Sequence, residues 1–153
     1  MNEKYINLQK NLITNQVGVQ KQTKKNQNKP KTMADHNELG ELGEQRAQAY
    51  LHAKGYKIRH TKWRTGKLEL DIVAEKDGWL VVTEVKTRST DTFEAPEEAI
   101  TNRKIRNIIN ATHEYIHTFD WQGYTRFDVI SVIPEGQNFR IDHIEDAFLS
   151  PLI

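Results

Sequence analysis

Apolar side chains return at helical spacing across the stretch that opens the folded part of the chain. Leu39, Leu42, Ala47, Tyr50 and Leu51, with Arg46 on the same stripe, predict a helix that Gly55 ends. Asp35 followed by Glu38 has the form of a capping pair at its start. Gly40 and Gly43 lie one turn apart and lower helix propensity, which predicts that another backbone passes close by. The pattern then changes period. YKIRHTKW (56–63) alternates as a strand, and KLELDIVAEKDGWLVVTEVKTR (67–88) reads as two strands around an Asp77-Gly78 turn. A loop with Phe93 and Pro96 precedes a second helix at roughly 101–118, striped by Ile105, Ile108, Ile109, Thr112 and Ile116. YTRFDVISV (124–132) and NFRIDHI (138–144) are further strands, separated by a turn at Pro134–Gly136. The order of helix, three strands, helix and two strands predicts an α/β sandwich built on a mixed sheet.

Before the helix the pattern is empty. Residues 1–32 are rich in Asn, Gln and Lys, and only Tyr5, Leu8 and Leu12 fall at helical spacing. Such a segment buries too little to fold, so 1–33 is expected to be a disordered tail and 34–153 a single domain. Met33, the only methionine after the first residue, stands at that boundary. The tail is either an upstream extension or an ordinary one, and its lysines offer it as a weak nucleic-acid arm.

Charge follows the same division. The net charge of +1 hides seven lysines against one acid in 1–33, which leaves 15 basic and 20 acidic residues in 34–153. Within the domain, 46–106 holds 13 basic and nine acidic side chains, while 34–45 and 107–153 are acidic. A uniformly basic nucleic-acid coat is thereby excluded. A basic centre around a cluster of acids is what remains. The absence of cysteine excludes a disulfide framework and a thiolate metal site. No apolar run approaches the ~20 residues that span a bilayer, and no signal-peptide core is present, so a soluble cytoplasmic protein without membrane contact is expected.

The hairpin carries the chemistry. With Asp77-Gly78 as a two-residue turn, Lys76 pairs with Trp79, Asp71 faces Glu84 and Glu69 faces Lys86. Alternation puts these four on one face and Leu68, Leu70, Ile72, Ala74, Val81, Thr83 and Val85 on the other. Carboxylates directly across a ladder repel, which is costly unless a cation lies between them. Mg²⁺ (or Mn²⁺) suits such a site, since it takes one or two carboxylates and keeps water and phosphate as its other ligands. Lys86, one side chain beyond Glu84, can then hold an attacking water or stabilise developing phosphate charge. A solvated strand face also mixes Glu, Asp and Lys. VVTEVKTR, however, is apolar around its charges, as a central strand would be.

Several stretches together resemble the YraN-like family of bacterial proteins, within the PD-(D/E)XK nuclease superfamily and akin to Holliday-junction resolvases. They are GELGE (40–44), LELDIV with Asp71, TEVKTR (83–88), RKIR (103–106), RFDVI (126–130) and the closing Ala147-Phe148. Where the family usually carries glycine before the acid of its Gly-Glu-x-Asp stretch, this chain has Leu68. The resemblance covers 35–149. It implies a restriction-endonuclease-like three-layer sandwich and metal-dependent endonuclease activity on DNA, at branched or repair and recombination intermediates. It also implies that Asp71 and Glu84 bind metal together with the Val85 carbonyl, that Lys86 orients the nucleophile, and that Glu44 joins directly or through water. Because junction resolvases act as dimers, a homodimer is a further expectation. Glu44 stands beside the core stripe of its helix, whereas Glu38 and Glu41 read as solubilising. Glu69 either pairs with Lys86, supports the metal ligands from behind, or is structural.

Arg64 and Lys67 (with Lys62 nearby), Arg88, Arg103, Lys104 and Arg106 flank this centre and are the candidate phosphate contacts. Each reads equally well as part of a solvated face. Trp63 and Trp79 are candidates for stacking on an unpaired base, though packing is the plainer reading. Two other functions stand beside the nuclease. One is a catalytically silent nucleic-acid-binding module. The other is a zinc peptidase, because His113-Glu114-Tyr115-Ile116-His117 spells HExxH on the second helix, with Glu135 or His143 as third ligand. The motif falls in the last turn of a helix already committed to packing, which weighs against it.

Overall fold

The computed structural model describes residues 33–88 and 100–149, with side chains from residue 37 onward. The tail reading for 1–32 and the Phe93–Pro96 loop lie outside the described residues. The first helix, α1, spans Met33–Ala53. It therefore begins two residues before Asp35, which lies within the helix and not at its cap. The helix ends as predicted, on Gly55 at φ +83°.

Strands β1 (Lys57–Thr65), β2 (Leu68–Lys76) and β3 (Trp79–Thr87) follow. Then come α2 (Asn102–Phe119), β4 (Tyr124–Glu135) and β5 (Asn138–Ile144). Among the described residues they form one five-stranded sheet in the order β1-β2-β3-β4-β5. The β3–β4 pair is parallel and the other pairs are antiparallel. A parallel pair needs a crossover, and α2 supplies it.

Both faces of the sheet are covered. Ala47 and Leu51 of α1 pack on Ile72, Ala74, Val81, Ile130 and Val132. On the opposite face Ile108, Ile109, Ala111 and Tyr115 of α2 pack on Val73, Leu80, Val82 and Phe127. This is the three-layer α/β sandwich on a mixed sheet expected of the restriction-endonuclease-like class. The predicted stripe of α2 holds at Ile108, Ile109 and Thr112, but its largest fully buried side chain is Tyr115. Thr101 caps this helix, its hydroxyl accepting from the Lys104 amide at 3.2 Å. No helix among the described residues is long and apolar enough to cross a membrane.

The hairpin register is the predicted one, from Lys76–Trp79 to Ile72–Thr83. The assignment of faces needs one correction. Leu68 and Leu70 pack with Trp63 in the α2-side cluster, not with Ile72 and Ala74. The cause lies next to Asp71. Between the rungs Thr61–Ile72 and Trp63–Leu70 the Lys62–Asp71 rung is missing, and Lys62 is left-handed at φ +49°. Alternation is interrupted on both strands there, so that His60 and Trp63 of β1, and Val73 and Leu70 of β2, three residues apart, share the α2 face.

Candidate active site

Asp71 sits at the break in β2. On its other side the β2–β3 ladder ends at Ile72–Thr83, one rung before Asp71 would face Glu84. Asp71 Oδ2 instead accepts the Val85 N–H at 2.8 Å, so a carboxylate spans the gap where the ladder stops. The same carboxyl lies within hydrogen-bonding reach of Glu84. The Glu84 side chain is only 10% exposed. Burial, reinforced by the Asp71 charge, pushes its pKa up to about 7. The predicted confrontation of two acids is therefore present, made by side-chain contact across the end of the hairpin.

α1 brings Glu44 to the same region. A Cβ on Gly43 would lie 1.8 Å from the Thr87 hydroxyl oxygen, so the helix backbone rests directly on the end of β3. Gly40, by contrast, has open space within 4 Å, so only one of the two glycines is a close-approach site. Glu44 forms an ion pair with Lys62 at 3.3 Å. Burial raises its pKa, Lys62 offsets part of this, and the charges of Asp71 and Glu69 add to the rise. Glu44 thus feels the acidic pair, but its recorded partner is Lys62. Among the described residues no three His, Asp or Glu side chains converge on one cation position. The chain offers two carboxylates in contact, with Glu44 one step away.

The basic candidates divide. Lys104, expected on phosphate, reaches from the first turn of α2 to place its Nζ 3.0 Å from Glu84 Oε2. Burial works against its charge, yet Glu84 and then Asp71 hold its pKa above the usual lysine value. Arg64 is bonded to Glu69, its cross-strand neighbour. Glu69 therefore does not pair with Lys86, the ladder that would join them having ended. Arg88 is buried, 8% exposed, and its backbone N–H donates to the Val132 carbonyl at 3.0 Å, which removes it from the phosphate-facing surface. Lys67, Lys86, Arg103 and Arg106 are exposed.

Trp63 packs edge-on to Tyr115, with ring centroids 5.1 Å apart, and belongs to the core. Trp79 is half exposed beside Tyr124, 5.1 Å away. It starts β3 five residues before Glu84, or roughly 16 Å along the strand, too far to meet a base at the carboxylates.

The HExxH residues find no metal cage. His113, Glu114 and His117 are exposed on α2. His143 bonds Asp128 at 2.9 Å and lies edge-on to Tyr50 of α1, on the other side of the sheet. Glu135 bonds Arg140 at 3.1 Å. Around Asp128 the α1 face holds a charged network. Fully buried Asp128 accepts two bonds from Arg126, at 2.8 and 2.9 Å, and one from the Asp146 amide. Arg126 also donates to the Tyr56 hydroxyl at 2.9 Å. Burial alone would raise the pKa of Asp128, but His143, Arg126 and the Asp146 amide hold it below the usual value. Ala147 and Phe148 close the fold: the Ala147 N–H donates to the Phe127 carbonyl at 2.8 Å, and Phe148 stacks on Phe127.

Known proteins align with this chain over the same region. A UPF0102 protein from Bacteroides thetaiotaomicron is 53% identical over 120 residues, covering 78% of this chain and 99% of the relative. One from Phocaeicola vulgatus is 51% identical with the same coverage. One from Flavobacterium psychrophilum is 43% identical over 116 residues, covering 76% and 98%. The uncharacterised protein family UPF0102 matches residues 43–132, from the glycine that seats α1 on β3 to the parallel partner of β3. The chain therefore belongs to the UPF0102 family, the YraN-like family that its motifs resemble.

Proposed function

We propose that the protein is a metal-dependent endonuclease that hydrolyses DNA phosphodiester bonds, using Mg²⁺ or Mn²⁺. The observation that carries this reading is the contact between Asp71 and Glu84 at the end of the β2–β3 ladder, with the Glu84 pKa raised to about 7. Binding nucleic acid does not require two opposed acids, one of them nearly enclosed, and their repulsion destabilises the fold that holds them.

The donor set fits a hard dication. Asp71, Glu84 and the Val85 carbonyl would hold it through oxygen, with Glu44 reached through water, and Mg²⁺ needs no more protein ligands than this. That Lys104 already sits on Glu84 supports the same point, since the pocket accepts positive charge. When bound, the metal supplies a lowered water pKa and Lewis-acid stabilisation of the phosphate.

The chain's own residues do the rest. Lys86 follows Glu84 by two on β3 and is exposed, so its ammonium orients the attacking water and balances charge developing on phosphate. Glu44, its pKa raised by burial and its carboxylate steadied by Lys62, stands beside the water as a group able to accept its proton. Lys67, Arg103 and Arg106 bind phosphates to either side and fix the strand. A branched or repair-intermediate substrate, action as a homodimer and a cytoplasmic location belong to the same proposal.

The test incubates the purified protein with duplex, single-stranded and four-way-junction DNA, with and without Mn²⁺. Metal-dependent nicking that vanishes in Asp71→Ala and in Lys86→Ala is the expected result. DNA binding without cleavage, unchanged in both variants, would select the silent binding module instead.

A further inference from the structure

We infer that Lys104 is the built-in counter-ion of the Asp71–Glu84 pair, which a divalent cation must displace to enter, releasing the ammonium toward the substrate phosphate. The inference rests on the nuclease reading above and deepens it. Its basis is geometric. Lys104 lies in the first turn of α2, with Nζ 3.0 Å from Glu84 Oε2, and its amide is fixed by the Thr101 cap. Glu84 is nearly enclosed, at 10% side-chain exposure, whereas Lys104 keeps 38%. The buried partner cannot leave, and the half-exposed one can swing out on a flexible stem. The lysine that the sequence pattern assigns to the site, Lys86, is exposed on β3.

An ammonium and a dication cannot share one face of a buried carboxylate. Metal binding and the Lys104–Glu84 bridge are therefore linked with opposite sign, and whatever weakens the bridge must tighten metal binding. Released from Glu84, the Lys104 amine is free to meet an arriving DNA phosphate.

The experiment measures Mn²⁺ binding by calorimetry in the wild type, Lys104→Gln and Lys104→Arg, without DNA. Lys104→Gln is expected to bind Mn²⁺ about three- to tenfold more tightly, the range for exchanging one half-exposed ion pair with solvent, and Lys104→Arg to stay near wild type. A merely structural lysine would give the reverse, because a loosened site binds metal more weakly. Should Lys104→Gln fail to fold, the wild type answers alone. Amine acetylation mapped by mass spectrometry should rise at least about twofold at Lys104 when Mg²⁺ is added, while exposed Lys57 stays constant. Equal or weaker Mn²⁺ binding by Lys104→Gln, or unchanged Lys104 labelling, overturns the inference and leaves the nuclease reading intact. No Mn²⁺ binding by any of the three proteins overturns both.

Discussion

A methyl group on Gly43 would stand 1.8 Å from the hydroxyl oxygen of Thr87. A larger residue at that point in α1 forces either the Thr87 side chain to turn away or the helix to lift off β3, and lifting it would carry Glu44 with it. The glycine, unfavourable for the helix by itself, sets the distance between the helix and β3.

Gly43→Ala is accordingly expected to destabilise the protein by about 1–3 kcal/mol despite alanine's better helix propensity, because overpacking outweighs it. Thr87→Ala removes the hydroxyl that meets the new methyl and should recover part of the loss. Urea denaturation of the two single variants and the double variant measures the coupling.

The metal-free protein should lose stability as pH rises. Glu84 has an ordinary value of 4.5 and titrates at about 7 in the fold, so its protonated form is the one the fold favours. The stability it contributes is whole below about pH 4.5 and lost as pH climbs through 7, with a ceiling on the order of 3 kcal/mol. Denaturation midpoints in EDTA at pH 5 and pH 8 test this. Glu84→Gln, neutral at every pH, should flatten the dependence.

Adding Mn²⁺ at pH 8 should restore what deprotonation removes. At a concentration about a hundredfold above the dissociation constant the gain is about 2.7 kcal/mol, read as a rise in melting temperature. Asp71→Ala should abolish the increment. Glu44→Gln should only reduce it, since Glu44 stands behind its Lys62 bridge.

Asp128→Ala should cost about 3–5 kcal/mol, because it removes the fully buried acceptor that Arg126 and His143 share, leaving Arg126 to Tyr56 and Glu145. Chemical denaturation measures the loss. The Mn²⁺ affinity of the folded fraction should match wild type, as the network lies on the α1 face and makes no contact with Glu84.

His113→Ala should change stability by no more than about 0.5 kcal/mol, since the side chain is exposed. Metal analysis of the purified wild type should find no stoichiometric zinc. Zinc that disappears in the variant would restore the peptidase alternative.

Hydrophobic period and turn chemistry were enough to assign the two helices and five strands of the described residues and the hairpin register, because local spacing and a two-residue Asp-Gly turn dictate them. The same arithmetic brought Asp71 to Glu84, and the order of motifs indicated the family. Other features depended on contacts between residues distant in sequence, which no window along the chain contains. Alternation breaks at the missing Lys62–Asp71 rung, so Leu68 and Leu70 exchange faces and Asp71 falls in the gap. Lys104 meets Glu84 only because α2 packs on the face of the sheet, and Arg64 reaches Glu69 only through strand pairing. The buried network around Asp128 gathers residues from β4, β5 and the end of α1. Charge placement was thus legible as type and spacing, but its pairing was decided by packing, which chooses partners by proximity in the folded chain.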